Sequence, residues 1–460
     1  MGVKGLLWVI ALATLGSCTP SHIGHSAERV GPGKRLIVPV DYANPDGPAI
    51  ELGLVRLPAT DPANRLGVLV FAPGGPGDSA LEYVKAHEAD LARLRERYDI
   101  VGMDPRGVGE SAPLRCLTDP EMDAYYAAEL TPATAHEAAY RYTDGCLATS
   151  HGLLAHLGTE NVARDLESLR KHLGEEKLNY LGFSYGTRVG LSYAEQFPDQ
   201  VGRMVLDSID NPRSKPEIDV DEQTPARIGN EDLASEMAGE PLDGLLEGLR
   251  DNPIRASDGR LVTSLVARAA ILRATLADGD AEQLRQALAR VNAGDPDGLQ
   301  ALADDFNGRH SDGSYDQSDD LYIAVSCLVG DPAKGVPDRA EARQRVDQLA
   351  AAAGEVSPYF GAWLTYREQL CEVWPVAATF APHDIHAPGA PPILLLNNSG
   401  DQVTTVEDAE AVEASLERAV LVVNEGTEHG TYLEGHECVD DLVEAFLLDG
   451  TLPAEGTKCE

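Results

Sequence analysis

The chain has 460 residues, of which 43% are hydrophobic and 24% charged, and it carries a formal net charge of -38 at pH 7. A chain of this length and composition buries a large core and is not a disordered protein. The charge excludes nucleic acid as a partner, because a phosphate backbone would be repelled and no cluster of Lys or Arg offsets the field.

Residues 1–18 are predicted to be a targeting segment. Lys4 precedes an apolar run at 5–15, which has the length of a signal-peptide hydrophobic region and is too short to span a bilayer. The run closes at Cys18 in a Leu-Gly-Ser-Cys sequence that resembles a bacterial lipobox, in which the cysteine is lipidated. We therefore expect an exported protein that is either held at a membrane through a lipid on Cys18 or secreted after cleavage nearby.

Apolar runs predict strands in two groups, separated by a long segment that lacks them. An opening hairpin is expected at 36–40 and 50–57, and further strands are expected at 66–71, 98–103, 178–183, 204–206, 392–396 and 419–423. Fully apolar runs are typical of strands buried in a parallel sheet. The sequence predicts an α/β fold, with a mostly parallel sheet flanked by helices, formed by 28–211 and 389–460.

The segment 212–388 is predicted to be a helical cap inserted into that sheet domain. It carries Ala, Leu, Arg and Asp at helical spacing, for instance at 261–276 and 340–353, interrupted by Gly, Asp and Pro turns. Strands are not expected there.

A Gly-x-Ser-x-Gly sequence centred on Ser184 follows the strand predicted at 178–183. A helix is expected before that strand, capped by Thr159 and ending at Gly174, and another directly after the serine. Helix, strand, serine turn and helix is the order of an α/β-hydrolase nucleophile elbow, in which glycines two residues either side avoid clashes with neighbouring backbone. Ser184 is the candidate nucleophile.

A serine nucleophile needs a general base and an acid that orients it, and in this fold class they follow in the order acid, then histidine. His429 lies in the loop after the last predicted strand, whereas His436 lies at the entry to a final helix, so His429 is the favoured base. Asp401 follows the preceding strand and is the favoured acid. Asp207 and Asp210, which follow the strand at 204–206, are the alternatives.

An oxyanion hole needs two backbone N–H groups that converge on the reacting oxygen. One is expected from Tyr185, directly after the nucleophile, and the other from Gly75 in the Pro-Gly-Gly-Pro-Gly loop at 73–77. No Lys-Ser or Lys-Thr follows this loop, which argues against a phosphate-binding role. No cofactor and no metal are predicted, since the chain lacks Cys-x-x-Cys and a His pair at ligand spacing beside its cysteines.

If Cys18 is lipidated, an even number of cysteines remains in an oxidising compartment, which predicts three disulfides. The sequence alone does not choose among the possible pairings. Proximity favours nearest neighbours, namely Cys116 with Cys146, Cys327 with Cys371, and Cys438 with Cys459.

Three motifs together resemble those of secreted tripeptidyl aminopeptidases of the proline-iminopeptidase-like α/β-hydrolase group. They are Ala-Pro-Gly-Gly-Pro-Gly at 72–77, Asp-Pro-Arg-Gly-Val-Gly-Glu-Ser at 104–111 and Gly-Phe-Ser-Tyr-Gly-Thr at 182–187. Cys-Glu-Val-Trp-Pro at 371–375 and the C-terminal region extend the resemblance, leaving the cap interior poorly matched. The motif at 104–111 would be a structural loop beneath the active site, with Arg106 bracing it.

The resemblance implies a serine exopeptidase that removes short peptides, often tripeptides, from free N-termini through an acyl-enzyme. Carried over by position, Ser184, Asp401 and His429 would be the triad, and Gly75 and Tyr185 the oxyanion donors. Peptides with a free N-terminus would be the partners, and a membrane would be contacted only through a lipid anchor.

An aminopeptidase must recognise an ammonium group, which requires carboxylates supplied by the cap. In many relatives an acidic residue lies two positions after the cysteine that corresponds to Cys327, whereas this chain has Val329 there and Asp331 two further on. Asp319, Asp320 and Asp331 are the candidates.

Two other functions remain open at this point. A carboxylesterase or lipase-like hydrolase would use the same triad, because this fold hosts many acyl-transfer reactions. A non-catalytic envelope lipoprotein or binding module would keep the fold, although the complete set of catalytic candidates argues against it.

Overall fold

The computed structural model describes residues 35–128, 131–214, 231–239, 241–275, 281–316 and 318–459. The predicted targeting segment, with the lipidation candidate Cys18, lies outside these residues. Within them, no helix combines the length and the apolar composition needed to cross a bilayer. The chain alternates strands and helices, with a mainly helical segment placed before the last three strands of the main sheet.

The structure contains twelve strands in the described residues, and most of them belong to one sheet. In chain order the strands are β1 (Leu36–Pro39), β2 (Ala49–Leu52), β3 (Leu54–Leu57), β4 (Gly67–Ala72), β5 (Tyr98–Met103), β6 (Leu178–Phe183), β7 (Val201–Asp207), β8 (Ile254–Arg255), β9 (Leu261–Val262), β10 (Ile393–Asn398), β11 (Ala419–Asn424) and β12 (Lys458–Cys459). Eight of them form one sheet in the order β12-β11-β10-β7-β6-β4-β5-β3. β3 pairs antiparallel with β5, and the other pairs are parallel. Every residue of β5 and β10 is buried, as expected for parallel strands covered on both faces. The predicted α/β fold with a mostly parallel sheet is confirmed.

The strand predicted at 50–57 is in fact two strands in different sheets. β2 pairs with β1 in a two-stranded ribbon, whereas β3 joins the edge of the main sheet. Gly53 separates them, because its N–H donates to Ser111 Oγ at 2.8 Å and a Cβ there would lie 2.7 Å from Glu110 Cβ. The loop that carries Glu110 and Ser111 approaches the chain at Gly53, where only glycine leaves room for it. The hairpin prediction is therefore right for β1 and β2 and wrong for β3.

Helices precede and follow most of the strands along the sequence. They are α1 (Ala80–Ala86), α2 (Ala92–Arg95), α3 (Asp119–Ala127), α4 (Pro132–Thr149), α5 (Thr159–Leu173), α6 (Tyr185–Gln196), α7 (Glu231–Ala238), α8 (Asp243–Asp251), α9 (Ser264–Thr275), α10 (Ala281–Asn292), α11 (Asp297–Phe306), α12 (Ser318–Cys327), α13 (Arg339–Val356), α14 (Gly361–Glu368), α15 (Val406–Ser415) and α16 (Glu437–Asp449). Gly174 ends α5 in the left-handed conformation, with φ 72°. Thr159, predicted to cap α5, is its first helical residue instead, and its Oγ1 lies 3.0 Å from the Tyr185 hydroxyl.

Helices α7–α14 occupy the segment predicted to be a cap. Most of them share an apolar core of their own, which includes Ile271 and Trp363. α12 differs, because Leu321 and Val325 belong to the apolar core of the sheet domain. Ala342 of α13 and Trp374 belong to that same core, so α12 is one of several parts of this segment that pack directly on the sheet domain.

A short hairpin interrupts these helices where no strand was expected. β8 pairs antiparallel with β9, and α9 begins only at Ser264, so the helix predicted from 261 starts three residues later. The turn depends on Gly259, whose φ is 94°, and on Asp258, whose Oδ1 accepts the Arg260 N–H at 2.9 Å. This turn chemistry prevails over the apolar spacing that predicted a longer helix.

Three disulfides join nearest neighbours in the sequence, which is the pairing that proximity favoured. The first ties the loop before α3 to α4, the second ties the end of α12 to the turn at 369–373, and the third ties α16 to β12. The bonds are Cys116–Cys146, Cys327–Cys371 and Cys438–Cys459.

Candidate active site

Ser184 lies between β6 and α6 in a strained conformation. Its φ of 51° and ψ of -122° are unusual for a residue with a side chain and cost on the order of 1–3 kcal/mol. The flanking glycines make room for this turn. A Cβ at Gly186 would lie 2.6 Å from the Ala72 carbonyl oxygen, and one at Gly182 would lie 2.7 Å from the Gly186 oxygen. The predicted strand-turn-helix elbow is present.

The Ser184 side chain is only 5% exposed, and its Oγ makes no hydrogen bond with a protein group. It faces the glycine-rich loop after β4, because a Cβ at Gly74 would lie 2.9 Å from Ser184 Cβ and 3.2 Å from its Oγ. A hydroxyl held in this way has no competing partner that would need to be displaced before reaction.

Asp401 and His429 meet at the carboxyl ends of β10 and β11. The Asp401 carboxylate lies 2.9 Å from His429 Nδ1 and also accepts the N–H groups of Val403 and Thr404 at 2.8 and 3.1 Å. Thr404 Oγ1 donates to it at 2.9 Å. Burial raises the pKa of Asp401, but the His429 ring and the two amides outweigh burial and hold the pKa below its ordinary value. The carboxylate is therefore ionised at neutral pH.

Asp207, one of the two alternative acids, supports the loop that carries the histidine. It is fully buried and accepts the Thr431 N–H at 3.0 Å, the Thr431 Oγ1–H at 2.9 Å and the Tyr432 N–H at 2.8 Å. Burial raises its pKa to about 6, although these donors oppose the shift. The other alternative, Asp210, forms an ion pair with Arg188 at 2.6 Å.

Further side chains that the sequence did not single out hold the same loop. Asn398 Nδ2 donates to the carbonyl oxygens of Glu428 and Gly430 at 2.9 and 2.6 Å, and Gly430 N–H donates to Ser208 Oγ at 2.9 Å. The available signal was their position, since Ser208 and Asn398 are polar residues at the ends of apolar strands. His436, the histidine not favoured as base, precedes α16 and pairs with Glu428 at 2.6 Å.

Of the two predicted oxyanion donors, Tyr185 directly follows Ser184, and Gly75 is next to Gly74, which approaches the serine side chain. Tyr185 is the first residue of α6, so its N–H has no acceptor within the helix. Gly75 follows the glycine that touches the serine and has φ 102°, and a Cβ there would lie 2.5 Å from Gly77 N. Only glycine fits this turn.

The charged residues of the loop at 104–111 are bound by protein partners. Arg106 is fully buried and donates from two nitrogens to Asp165, each at 2.7 Å. Asp104 accepts the Ser79 Oγ–H at 2.8 Å and the Glu110 N–H at 3.1 Å. These contacts tie the loop to α5 and to the residue that precedes α1.

The three candidates for binding an ammonium group lie in different surroundings. Asp320 is buried, where it accepts the Cys116 N–H at 2.9 Å and the Tyr142 hydroxyl, and Asp331 is exposed and caps a short turn. Asp319 lies in the first turn of α12, whose first residue, Ser318, contacts the oxyanion loop. A Cβ at Gly77 would lie 2.7 Å from the Ser318 Cα. Of the three candidates, Asp319 is thus the one whose neighbour in the chain contacts the oxyanion loop.

In the part of the chain that the structure describes, no group of three His, Cys, Asp or Glu side chains is arranged to hold a metal ion. The chemistry available at the site is that of a hydroxyl, an imidazole, an ionised carboxylate and backbone N–H donors.

This sheet order, with a serine elbow after β6 and an Asp–His pair after β10 and β11, defines an α/β-hydrolase of the serine hydrolase class. Residues 357–459 match the family described as TAP-like protein. The chain is 33% identical over 462 residues to serine protease Hip1 of Mycobacterium tuberculosis, covering 92% of this chain and 86% of that protein. It is 30% identical over 452 residues to the tripeptidyl aminopeptidase of Streptomyces lividans, covering 92% and 82%. The chain belongs to this TAP-like family of serine hydrolases, which confirms the resemblance.

A third relative is similar over the same length. Carboxylesterase B of Mycobacterium tuberculosis is 34% identical over 459 residues, covering 92% of this chain and 85% of that protein. Relatives at this level of identity thus carry names of both peptidases and an esterase.

Proposed function

We propose that this protein is an exported serine exopeptidase that releases short peptides, chiefly tripeptides, from free N-termini through an acyl-enzyme. Relatives named as a serine protease and a tripeptidyl aminopeptidase support a peptide substrate. The observation that carries the proposal is the contact of α12 with the oxyanion loop at Gly77 and Ser318. A helix packed against the oxyanion loop limits the space on that side, which suits the end of a peptide better than a long chain that passes through the site.

In the first half of the reaction, Ser184 Oγ attacks the carbonyl carbon of the scissile bond while His429 accepts the hydroxyl proton. Asp401 stays ionised, fixes the imidazole tautomer and stabilises the imidazolium that forms. The Tyr185 and Gly75 N–H groups stabilise the oxygen of the tetrahedral intermediate. The C–N bond then breaks, the leaving amine takes the proton from His429, and the N-terminal peptide stays on Ser184 as an ester.

In the second half, water replaces the leaving amine. His429 takes a proton from the water, the resulting hydroxide attacks the ester carbonyl, and the same oxyanion donors stabilise the second tetrahedral intermediate. Its collapse returns the proton to Ser184 Oγ and releases the short peptide with a new carboxylate. The steps need no cofactor.

Export through residues 1–18 is part of the proposal, with Cys18 as the lipid attachment site of an anchored form. Three disulfides support this, because such bonds persist in oxidising compartments and are rare in a reducing cytosol. Cell fractionation tests it: a protein found in the cytosol contradicts export, and a Cys18→Ser variant that leaves the membrane fraction supports the anchor.

A carboxylesterase is the second candidate, favoured by the relative named Carboxylesterase B. The two functions share the proposed triad and differ in what the substrate presents beside it. An esterase needs an acyl pocket, whereas an N-terminal exopeptidase needs a carboxylate for an ammonium group.

One assay separates them. The purified protein is tested on a tripeptide p-nitroanilide with a free amine, on its N-acetyl counterpart and on p-nitrophenyl butyrate. The proposal expects kcat/KM to be highest for the free amine, and equal or better turnover of the acetylated peptide contradicts it. Ser184→Ala is the control, since loss of a triad nucleophile is expected to lower kcat on the order of a millionfold.

A further inference from the structure

Two asparagines end β10, a strand whose other residues are apolar, and both are fully buried. They are Asn397 and Asn398, and each is 0% exposed. A buried amide is costly unless its oxygen and its NH2 group are hydrogen-bonded. Because successive residues of a strand point to opposite faces of the sheet, the two amides leave β10 on different sides. Each of them can therefore bind a different loop.

Asn397 binds the loop that carries Asp401. Its Nδ2 donates to the Thr404 carbonyl oxygen at 2.9 Å, and its Oδ1 accepts the Ile209 N–H at 2.9 Å. Thr404 in turn donates its N–H and its Oγ1–H to the Asp401 carboxylate, at 3.1 and 2.9 Å. Thr404 thus connects the Asn397 amide to the carboxylate, while Ile209 connects that amide to the chain that follows β7.

Asn398 binds the loop that carries His429. Its Nδ2 donates to the carbonyl oxygens of Glu428 and Gly430, the two neighbours of the histidine in the chain, at 2.9 and 2.6 Å. Its Oδ1 accepts a hydrogen bond from Asn424 Nδ2 at 2.6 Å, so the amide cannot turn over without losing all three bonds. The backbone on both sides of the histidine is therefore fixed to the end of β10.

These contacts link the two loops of the Asp–His pair through one strand. The bonds of Asn397 lead through its threonine partner to Asp401, whose Oδ2 lies 2.9 Å from His429 Nδ1. Those of Asn398 lead back from the backbone beside the imidazole to the same strand. Displacing a catalytic group by about 1 Å costs on the order of 100-fold in rate, so the two amides hold a distance on which the reaction depends.

We propose that Asn397 and Asn398 are positioning residues of the catalytic pair. Asn397 acts through Asp401, because it holds the residue that donates twice to that carboxylate. Asn398 acts through His429, because it holds the carbonyl groups of both its neighbours. The inference rests on the proposed triad roles of this acid and this base, and it holds whether the acyl group belongs to a peptide or to an ester.

The first test replaces each amide with an apolar side chain of similar size, in Asn397→Leu and Asn398→Leu. Each is expected to lower kcat on p-nitrophenyl butyrate about 10- to 100-fold and to leave KM near the wild-type value, because a catalytic group moves while substrate binding is unchanged. Asn179→Leu is the matched control. Its amide lies near the amino end of β6, donates to the Val68 oxygen and accepts the Arg203 N–H, both at 3.0 Å. The control is expected to lose thermal stability and to keep kcat.

A second test separates the roles of the two asparagines. In an Asp401→Ala enzyme, Asn397→Leu has no carboxylate left to position, so it is expected to lower kcat further by no more than about twofold. Asn398→Leu acts through the histidine and is expected to keep most of its effect in the same enzyme. Asn397→Leu and Asp401→Ala are thus expected to be non-additive, as is usual for groups of one hydrogen-bond network.

A folded Asn397→Leu or Asn398→Leu enzyme with wild-type kcat overturns the inference for that residue, and additive losses with Asp401→Ala overturn it for Asn397. Where a Leu variant does not fold, the Ala variant takes its place. Ala variants that also fail to fold, beside a folded Asn179→Ala, overturn the inference, because the amides then support the sheet itself. Wild-type kcat in both Asp401→Ala and His429→Ala overturns the proposed triad, and the inference with it.

Discussion

Replacing the Asp401 carboxylate with an amide, in Asp401→Asn, is expected to leave the fold intact and to fix the His429 ring in the wrong tautomer. Oδ1 accepts the N–H groups of Val403 and Thr404 at 2.8 and 3.1 Å, whereas Oδ2 lies 2.9 Å from both Thr404 Oγ1 and His429 Nδ1. Because the two backbone N–H groups need an acceptor, the amide oxygen takes the place of Oδ1 and the NH2 takes the place of Oδ2.

That NH2 donates to His429 Nδ1, which places the ring proton on Nε2, the nitrogen that must accept the proton from Ser184. The same change of tautomer in a Ser-His-Asp protease lowers kcat about 10,000-fold, so a loss of about 5.5 kcal/mol of transition-state stabilisation is expected here. The assay is kcat on p-nitrophenyl butyrate, with thermal unfolding as the check on folding.

Asp401→Ala is the informative control. It removes the acceptor without imposing a tautomer, so it is expected to retain at least as much activity as Asp401→Asn. The reasoning is refuted by an Asp401→Asn enzyme that keeps more than about a tenth of the wild-type kcat, a loss of under ~1.4 kcal/mol.

Three other predictions concern the groups around this pair. Asp207→Leu leaves the N–H groups of Thr431 and Tyr432 without their acceptor and is expected to lower the free energy of unfolding by roughly 2–5 kcal/mol, measured in urea; an unchanged midpoint contradicts this. Burial raises the pKa of Asp207 to about 6, so the folded state holds a proton that the unfolded chain releases. Its contribution to stability is therefore expected to fall as pH rises from about 4 to 6; urea midpoints of wild type and Asp207→Asn across this window test the sign. Gly74→Ala places a Cβ 2.9 Å from Ser184 Cβ and is expected to lower kcat about 100-fold with little change in thermal stability; wild-type kcat would contradict the close approach.

Strands buried on both faces were the most predictable part of the fold. The run at 98–103 coincides with β5, and the run at 419–423 differs from β11 by a single residue, because continuous apolar residues leave few alternatives to a central strand. The strand at 50–57 was not predictable in this way. The split at Gly53 depends on a loop more than fifty residues later in the chain, which no local pattern records.

In the candidate site, too, some residues were predictable from the sequence and others were not. Asp401 and His429 were found because chain order and strand ends constrain them, and the structure joins them by a hydrogen bond. The sequence did not distinguish Asp320 from Asp319 as a candidate. In the structure, Asp320 accepts the Cys116 N–H, whereas Asp319 follows the residue of α12 that contacts the oxyanion loop. Adjacent residues of one helix point in different directions, and only the packing of α12 decides which of them is buried against the Cys116 loop.

α12 is held in place by bonds that form only after the chain has left the ribosome and met an oxidant. Cys327, at its end, is bonded to Cys371, and Cys116, whose N–H binds Asp320, is bonded to Cys146. The serine elbow and the Asp–His pair owe nothing to these bonds, since they are built from strand ends. A precursor with free thiols would therefore mature in two stages. Its acyl-transfer groups are complete first, and α12 is secured last.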